Sequence, residues 1–259
     1  MIKDISNRLT YKIYEKTLWR QIKDGPKPYH VAVILDGNRR WAEKHGLPKW
    51  MGHRFGMDRV DDLLHWLINL DVKTLTIYVF STENFSRPRE EVDEIMKLIE
   101  TKLSDVLFNP EIHKMQVRIK AIGHLNLLPQ GLRNLLKKVE DATCEYDNFY
   151  LNIAIAYGGR TEIVDATRKI AEKVRLGKLD PKEIDEETIE RHLYTAYLPK
   201  SDPDMVIRTS GEERLSNFLL WQSAYSELFF LDVYWPDFRR IDLWRAIRTY
   251  QSRDRRIGK

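Results

Sequence analysis

Apolar and polar positions change their period at residue 29. Before it, Ile2, Ile5, Leu9 and Ile13, then Tyr14, Leu18 and Ile22, recur at three- and four-residue spacing with Lys and Arg between them. That is the spacing of one helix face. Gly25-Pro26-Lys27-Pro28 breaks the helix, so residues 1–28 are expected to form an N-terminal helical arm. From Tyr29 onward, short β-rich runs at 30–35, 74–80, 116–122, 149–156, 205–207 and 228–231 alternate with amphipathic stretches. Several runs are apolar nearly throughout, as strands covered on both faces are. The stretches between and after them predict helices over 52–70, 88–108, 129–144, 160–176, 186–197 and 242–253. Such alternation requires crossover connections. It predicts an α/β fold in which residues 29–259 form a single domain, with a mostly parallel central sheet of about six strands flanked by helices.

Composition narrows the class. The 259 residues are 42% hydrophobic, enough to bury the core of one large α/β domain. A single cysteine, Cys144, excludes a disulfide scaffold and all-thiolate metal sites within one chain, and it fits a reducing compartment. No apolar run approaches the ~18 residues of a membrane span. No secretory pattern follows Met1-Ile2-Lys3-Asp4. A cytoplasmic protein is expected, with the arm either docked on its own domain or lying in a membrane interface as a peripheral contact.

Charge is uneven. Residues 1–28 carry net +4 and residues 239–259 net +6, which leaves net −6 between them. Basic ends suit an anionic partner, and they equally suit a solvated tail.

In a parallel sheet, ligands bind beyond the carboxyl ends of the strands. The first run is followed by Asp36-Gly37-Asn38-Arg39-Arg40-Trp41, the second by Ser81-Thr82-Glu83-Asn84-Phe85-Ser86-Arg87-Pro88, the fourth by Tyr157-Gly158-Gly159-Arg160 and the fifth by Arg208-Thr209-Ser210-Gly211-Glu212-Glu213-Arg214-Leu215-Ser216-Asn217. Arginine forks, hydroxyls and N–H groups at helix starts are what phosphate oxygens require. Arg39 and Arg40 beside Gly37, and Arg208, Arg214 and Ser216 far away in sequence, predict two phosphorylated ligands or one long one. No P-loop and no G-x-G-x-x-G is present. Asp36 is the best candidate for a Mg²⁺ ion shared with a diphosphate, because phosphate and water oxygens complete the octahedron; a helix cap is its plainer role. His53 opens the next helix and could donate to a phosphate. The remaining histidines have no zinc-ligand spacing. Val92, Ile95, Met96, Ile99, Leu103 and Val106, with Tyr78, Phe80, Phe85 and Phe149, could line a hydrocarbon slot beside this edge, although core packing explains each of them singly.

Taken in order, several motifs resemble those of the cis-prenyltransferases, the undecaprenyl and dehydrodolichyl diphosphate synthases. They are His30-Val31-Ala32-Val33-Ile34-Leu35-Asp36-Gly37-Asn38-Arg39-Arg40-Trp41 with Gly52-His53-x-x-Gly56, then Phe80 to Pro88, Tyr157 to Arg160, and Arg208 to Gln222 with Tyr225-x-Glu227. The resemblance implies the cis-prenyltransferase fold and condensation of isopentenyl diphosphate onto an allylic prenyl diphosphate. It implies catalytic roles for Asp36, Asn38 and Ser81, with Mg²⁺ held by Asp36 and Glu227. Gly37, Asn38, Arg39, Arg40, His53 and Arg87 would hold the allylic diphosphate, with Trp41, Ser81, Glu83, Asn84 and Phe85 in the same substrate-binding motifs. Lys49 stands where bacterial members often carry Arg. Arg208, Arg214 and Ser216 would hold isopentenyl diphosphate, and Arg256-Ile257-Gly258 resembles a terminal motif that reaches the partner's site in a homodimer, giving Arg256 and Gly258 a binding role. Arg39 and the arm look archaeal or eukaryotic. No charged insertion follows Leu103, which favours a short or medium product. Two other readings remain: transfer of the prenyl group to a different acceptor, and a non-catalytic phosphate- or RNA-binding module. With the enzyme reading, no nucleic-acid partner is expected.

Overall fold

The computed structural model describes the backbone of residues 2–253 and side chains from residue 11 onward. Each β-rich run becomes a strand: β1 (His30–Ile34), β2 (Thr74–Ser81), β3 (Val117–Ile122), β4 (Phe149–Tyr157), β5 (Met205–Arg208) and β6 (Glu227–Phe230). They form one six-stranded sheet in the order β3-β4-β2-β1-β5-β6. Every pairing is parallel, so the mostly parallel sheet of the sequence reading is wholly parallel among the described residues.

The alternation of side chains along each strand sorts the sheet into two faces. Val31, Val33, Leu75, Ile77, Met205 and Ile207 join the larger core. Ala32, Ile34, Tyr78, Ala154 and Val206 face a smaller cluster that includes Phe218 and Leu219. A buried polar row crosses the smaller face, with His30 Nε2 and Asn152 Nδ2 each 2.8 Å from Thr76 Oγ1. Burial drives the His30 pKa down to about 4, so the ring is neutral.

Nine helices among the described residues complete the fold: α1 (Ile2–Ile22), α2 (Asn38–Lys44), α3 (Lys49–Asn69), α4 (Arg89–Leu107), α5 (Pro110–Lys114), α6 (Gln130–Thr143), α7 (Gly159–Arg175), α8 (Glu186–Glu190) and α9 (Arg240–Ser252). Two of these, α2 and α5, are too short to show a helical period, and the sequence reading lacks them. The stretch predicted as helix over 186–197 ends at Glu190. Beyond it, the Tyr194 N–H donates to Glu162 at 2.7 Å and the Tyr197 hydroxyl bonds Asn152. Tertiary partners there outbid the helical ladder.

Helix α1 docks on α9. Leu18 and Ile22 are fully buried, Trp19 and Trp244 lie 5.3 Å apart, and Gln251 donates to the Ile22 carbonyl at 2.9 Å. Among the described residues, no helix is long and apolar enough to cross a membrane.

Candidate active site

The chain leaves β1 toward β2 on one side and leaves β5 toward β6 on the other. Loops diverge there, and a crevice opens at the carboxyl edge. Register places Arg208 beside Ile34, so Asp36 and Arg208, 172 residues apart, meet across this switch point. Asp36 Oδ2 accepts from Arg208 Nη2 at 2.7 Å, and its Oδ1 accepts from the Gly37 N–H at 2.7 Å. Burial pushes the Asp36 carboxyl up, but Arg208, with Ser210 and the Gly37 N–H, together hold it below its usual value. Gly37 has φ +100°, and a Cβ there would lie 2.7 Å from the Tyr234 ring. Only glycine fits this turn.

Two charge clusters face each other. In the first, Arg208 Nη1 donates to Ser216 Oγ at 2.7 Å, Arg40 donates to Ser210 Oγ at 2.6 Å and Glu212 at 2.9 Å, and Arg214 pairs with Glu212. The resemblance assigns Arg40 to the allylic diphosphate with Arg39; in this structure it sits with the Arg208 group. The loop carrying Ser216 is strained, with positive φ at Ser216 (48°), Asn217 (65°) and Leu219 (42°). Such backbone persists only where surroundings over-determine it. Here the Gly158-Gly159-Arg160 turn does so. The Gly159 N–H donates to the Asn217 carbonyl at 2.7 Å, and the Arg160 N–H donates to its side chain at 2.8 Å.

The second cluster gathers on Glu91 of α4, a residue the sequence reading does not single out. Arg39 and Arg87 each approach its carboxylate at 3.4 Å. His53 Nε2 stands 3.8 Å away. Burial, with Arg87 and Arg39 nearby, pulls the His53 pKa down to about 3, so the ring is neutral and makes no ion pair. Its Nε2 and the Asn38 Oδ1 are buried without hydrogen-bond partners. Orphaned polar atoms of this kind are rare in native proteins.

Arg39, Arg40, Arg87, Arg208 and Arg214 line a pocket of about 510 Å³ against the carboxylates of Asp36, Glu43 and Glu212. Ser81, Asn84 and Arg87 also line it. Ser81 Oγ accepts from the Asn84 N–H at 3.2 Å, and Asn84 Oδ1 accepts from the Ser81 N–H at 3.1 Å, a reciprocal cap. A second cavity of about 340 Å³ runs inward between α3, α4 and the sheet. Leu35, Asn38, His53 and Val79 line both spaces, so a polar pocket opens directly into an apolar tunnel.

Other expected residues fall elsewhere. Ile95, Ile99, Leu103 and Val106 line the tunnel as anticipated. Tyr78, by contrast, lies on the smaller face, stacked on Phe218 at 4.6 Å, and Phe85 packs on Phe80 at 4.9 Å. Phe80 and Tyr78 line the polar pocket, while Phe85, Phe149, Val92 and Met96 line neither space. Their place is taken by Met57, Val60, Leu64 and Ile68 of α3, a wall the sequence reading does not include. Trp41 is buried against His45 and Phe55. Lys49 pairs with Glu43 at 3.2 Å on the surface, and Glu83 accepts from Asn217 at 3.0 Å. None of these three lines the polar pocket.

Glu227 needs a correction. It opens β6 beside Met205, whereas Arg208 pairs with Phe230 at the far end. Glu227 therefore sits at the opposite edge of the sheet, paired with Arg253, and cannot share a metal with Asp36 of the same chain. Arg256 and Gly258 lie outside the described residues.

An arginine-rich pocket that opens into a hydrocarbon tunnel at the edge of a parallel sheet defines a class, the proteins that handle lipid phosphates. Residues 34–258 match the family described as "Putative undecaprenyl diphosphate synthase". The chain belongs to this family, the cis-prenyltransferases. It is 52% identical over 255 residues to a tritrans,polycis-undecaprenyl-diphosphate synthase (geranylgeranyl-diphosphate specific) of Methanocaldococcus jannaschii, covering 98% of this chain and 91% of that one. It is 50% identical to the corresponding Sulfolobus acidocaldarius protein over the full length of both. A solved lavandulyl diphosphate synthase from Lavandula x intermedia, in complex with dimethylallyl diphosphate, superposes with a TM-score of 0.85 at 37% identity, covering 90% of this chain and 99% of that one.

Proposed function

We propose that this chain condenses isopentenyl diphosphate onto an allylic diphosphate, geranylgeranyl diphosphate by likeness to its relatives, and builds a Z-polyprenyl diphosphate of the undecaprenyl class. The observation that carries this reading is the shared wall at Asn38 and His53, where the arginine pocket meets the tunnel. One diphosphate would lie on Arg39, Arg87 and the N–H groups that open α2, with its hydrocarbon in the tunnel. The second would lie on Arg208, Arg214, Arg40 and Ser216. Both reacting carbons then meet beside Asn38 and Ser81, which orient the acceptor as its proton is lost. Preorganised guanidinium groups stabilise the charge that grows on the departing diphosphate, and the apolar wall keeps water from the allylic cation.

The donor set fits Mg²⁺. Asp36 faces the pocket and is ionised, and among the described residues no cluster of three or more acidic, His or Cys ligands exists. An ion there would take one carboxylate, with diphosphate and water oxygens as its remaining ligands. When bound, Mg²⁺ neutralises the leaving diphosphate; Asp36 would hold it after Arg208 turns to substrate.

The proposal includes a homodimer in which Arg256 and Gly258 of one copy reach the isopentenyl site of the other. It also includes peripheral contact with a membrane, where the long product would be delivered. Incubating the full chain with labelled isopentenyl diphosphate, geranylgeranyl diphosphate and Mg²⁺, then sizing the products by mass spectrometry, tests the reading. Incorporation of successive isopentenyl units is expected; none with any allylic primer overturns it. The likeness to a lavandulyl diphosphate synthase keeps a second reading in view, a single coupling to another acceptor, which the same product masses would reveal.

A further inference from the structure

Arg39 and Arg40 are consecutive on α2, yet they serve different clusters. Each step along an α-helix turns the side chain by about 100°, so neighbours do not face one another. Arg39 reaches Glu91, whereas Arg40 reaches Ser210 and Glu212. Asp36 is also close, 3.6 Å from Arg40 Nη2. The Arg40 side chain is 41% exposed and long, with much rotamer freedom to lose. A contact from outside α2 is needed to hold it in one direction.

The ring of Tyr234, in the loop after β6, supplies that contact. Its centroid lies 5.7 Å from the Arg40 guanidinium carbon and 5.9 Å from the Lys44 ammonium nitrogen. Arg40 and Lys44 are four residues apart and share one face of α2, and the ring lies along that face. Its neighbours fix it from both sides. The Val233 carbonyl accepts from the Ser210 N–H at 2.7 Å, and the Trp235 N–H donates to the Asp36 carbonyl at 3.0 Å. Trp235 is fully buried, and its indole N–H donates to the Gly56 carbonyl at 2.7 Å. Tyr234 itself lines neither cavity, so it acts on the site through Arg40.

An aromatic ring suits an anion site better than a carboxylate does. Glu212 also holds Arg40, but it is shared with Arg214 and competes with a diphosphate for the same guanidinium protons. A ring face attracts a cation without carrying a net charge. It therefore steadies Arg40 and leaves both the N–H groups and the positive charge to the ligand. Given the condensation proposed above, we propose that Tyr234 is a positioning residue: it keeps Arg40 in the Arg208 cluster and so sets the affinity for isopentenyl diphosphate, not for the allylic substrate.

Steady-state kinetics of the full-length protein with Mg²⁺ test this, varying isopentenyl diphosphate at saturating geranylgeranyl diphosphate and then the reverse. Tyr234→Leu should raise the KM for isopentenyl diphosphate about fivefold, with kcat and the other KM within about twofold of wild type. Tyr234→Phe keeps the ring face and should behave as wild type. In an Arg40→Gln background, Tyr234→Leu should add nothing further. Equal rises in both KM values would show that the ring only supports the fold, and a rise for the allylic substrate alone would return Arg40 to that diphosphate. Either result, an unchanged KM, or an effect that adds to that of Arg40→Gln, overturns the proposal. A wild-type protein that incorporates no isopentenyl unit overturns the proposed function, and this inference with it.

Discussion

His53 and His65 stand twelve residues apart on α3 and line opposite ends of one tunnel, yet their environments push them in opposite directions. At the near end, burial beside Arg87 and Arg39 drives His53 down to about 3. At the far end, hydrogen bonds donated by the ring to Glu111 and to the Asp61 carbonyl raise His65 above its ordinary value. The ion pairs around them differ likewise. The Arg208 side chain is 5% exposed where it meets Asp36, whereas the His65 and Glu111 side chains are 52% and 62% exposed. Similar residue types thus make a buried, fixed pair at one end and exposed, solvent-screened pairs at the other. Burial decides which, because water screens and replaces exposed pairs but cannot relieve a buried charge.

Removing one partner at each end is the strongest way to break this contrast. Arg208→Ala leaves Asp36 without its main partner and should cost about 3–5 kcal/mol in urea unfolding, whereas Lys102→Ala, which unpairs Asp61 at the far end, should cost less than about 1 kcal/mol. Equal losses would abolish the distinction. Next, Asp36→Asn keeps the shape but removes the charge that would hold Mg²⁺. We expect kcat to fall about 10²–10³-fold with an unchanged circular dichroism spectrum; a wild-type rate would remove Asp36 from the chemistry.

A smaller effect is expected at the crossing of α2 and α3. A Cβ on Gly52 would lie 2.0 Å from the Asn38 carbonyl oxygen, so Gly52→Ala should cost about 1–3 kcal/mol and raise the KM for the allylic substrate by moving Asn38. An unchanged KM would show that this crossing does not position the site.

A last effect is in pH. His30 and His53 have folded values near 4 and 3, below the ordinary 6.5. As pH falls below 6.5 the unfolded chain takes up these protons first, so stability should drop between pH 6.5 and about 4. His53→Gln should flatten that slope. The share from His65 has the opposite sign: its folded value is raised, so it is complete below 6.5 and lost as pH rises through the folded value. Urea midpoints from pH 4 to 8 would measure both, and a profile unaffected by His53→Gln would contradict the contrast.

Much of this was legible in the residues. All six strands lie where β-rich runs alternate with amphipathic stretches, because the period of side-chain burial is a local property. The phosphate-binding loops were legible too, since a parallel sheet gathers the carboxyl ends of its strands on one edge. Glu91 was not. On α4 it looks like one more surface acid between Glu90 and Glu94, in local reach of Arg87, and only the approach of α2 and α3 brings Arg39 and His53 to it. Glu227 was misplaced because it was carried over from a motif, although it stands at the start of its strand, the end away from the carboxyl edge.

By itself, then, the chain determined its alternating elements, the parallel sheet and the residue types at its carboxyl edge, all of which follow from short-range periodicity and strand direction. Tertiary structure alone decided that Arg40 joins Arg208, that α3 supplies the tunnel wall, and that one histidine is buried and neutral while another makes an exposed pair. Those outcomes depend on how close distant helices come and how much water remains between them, and neither quantity is written in the spacing of residues along a chain.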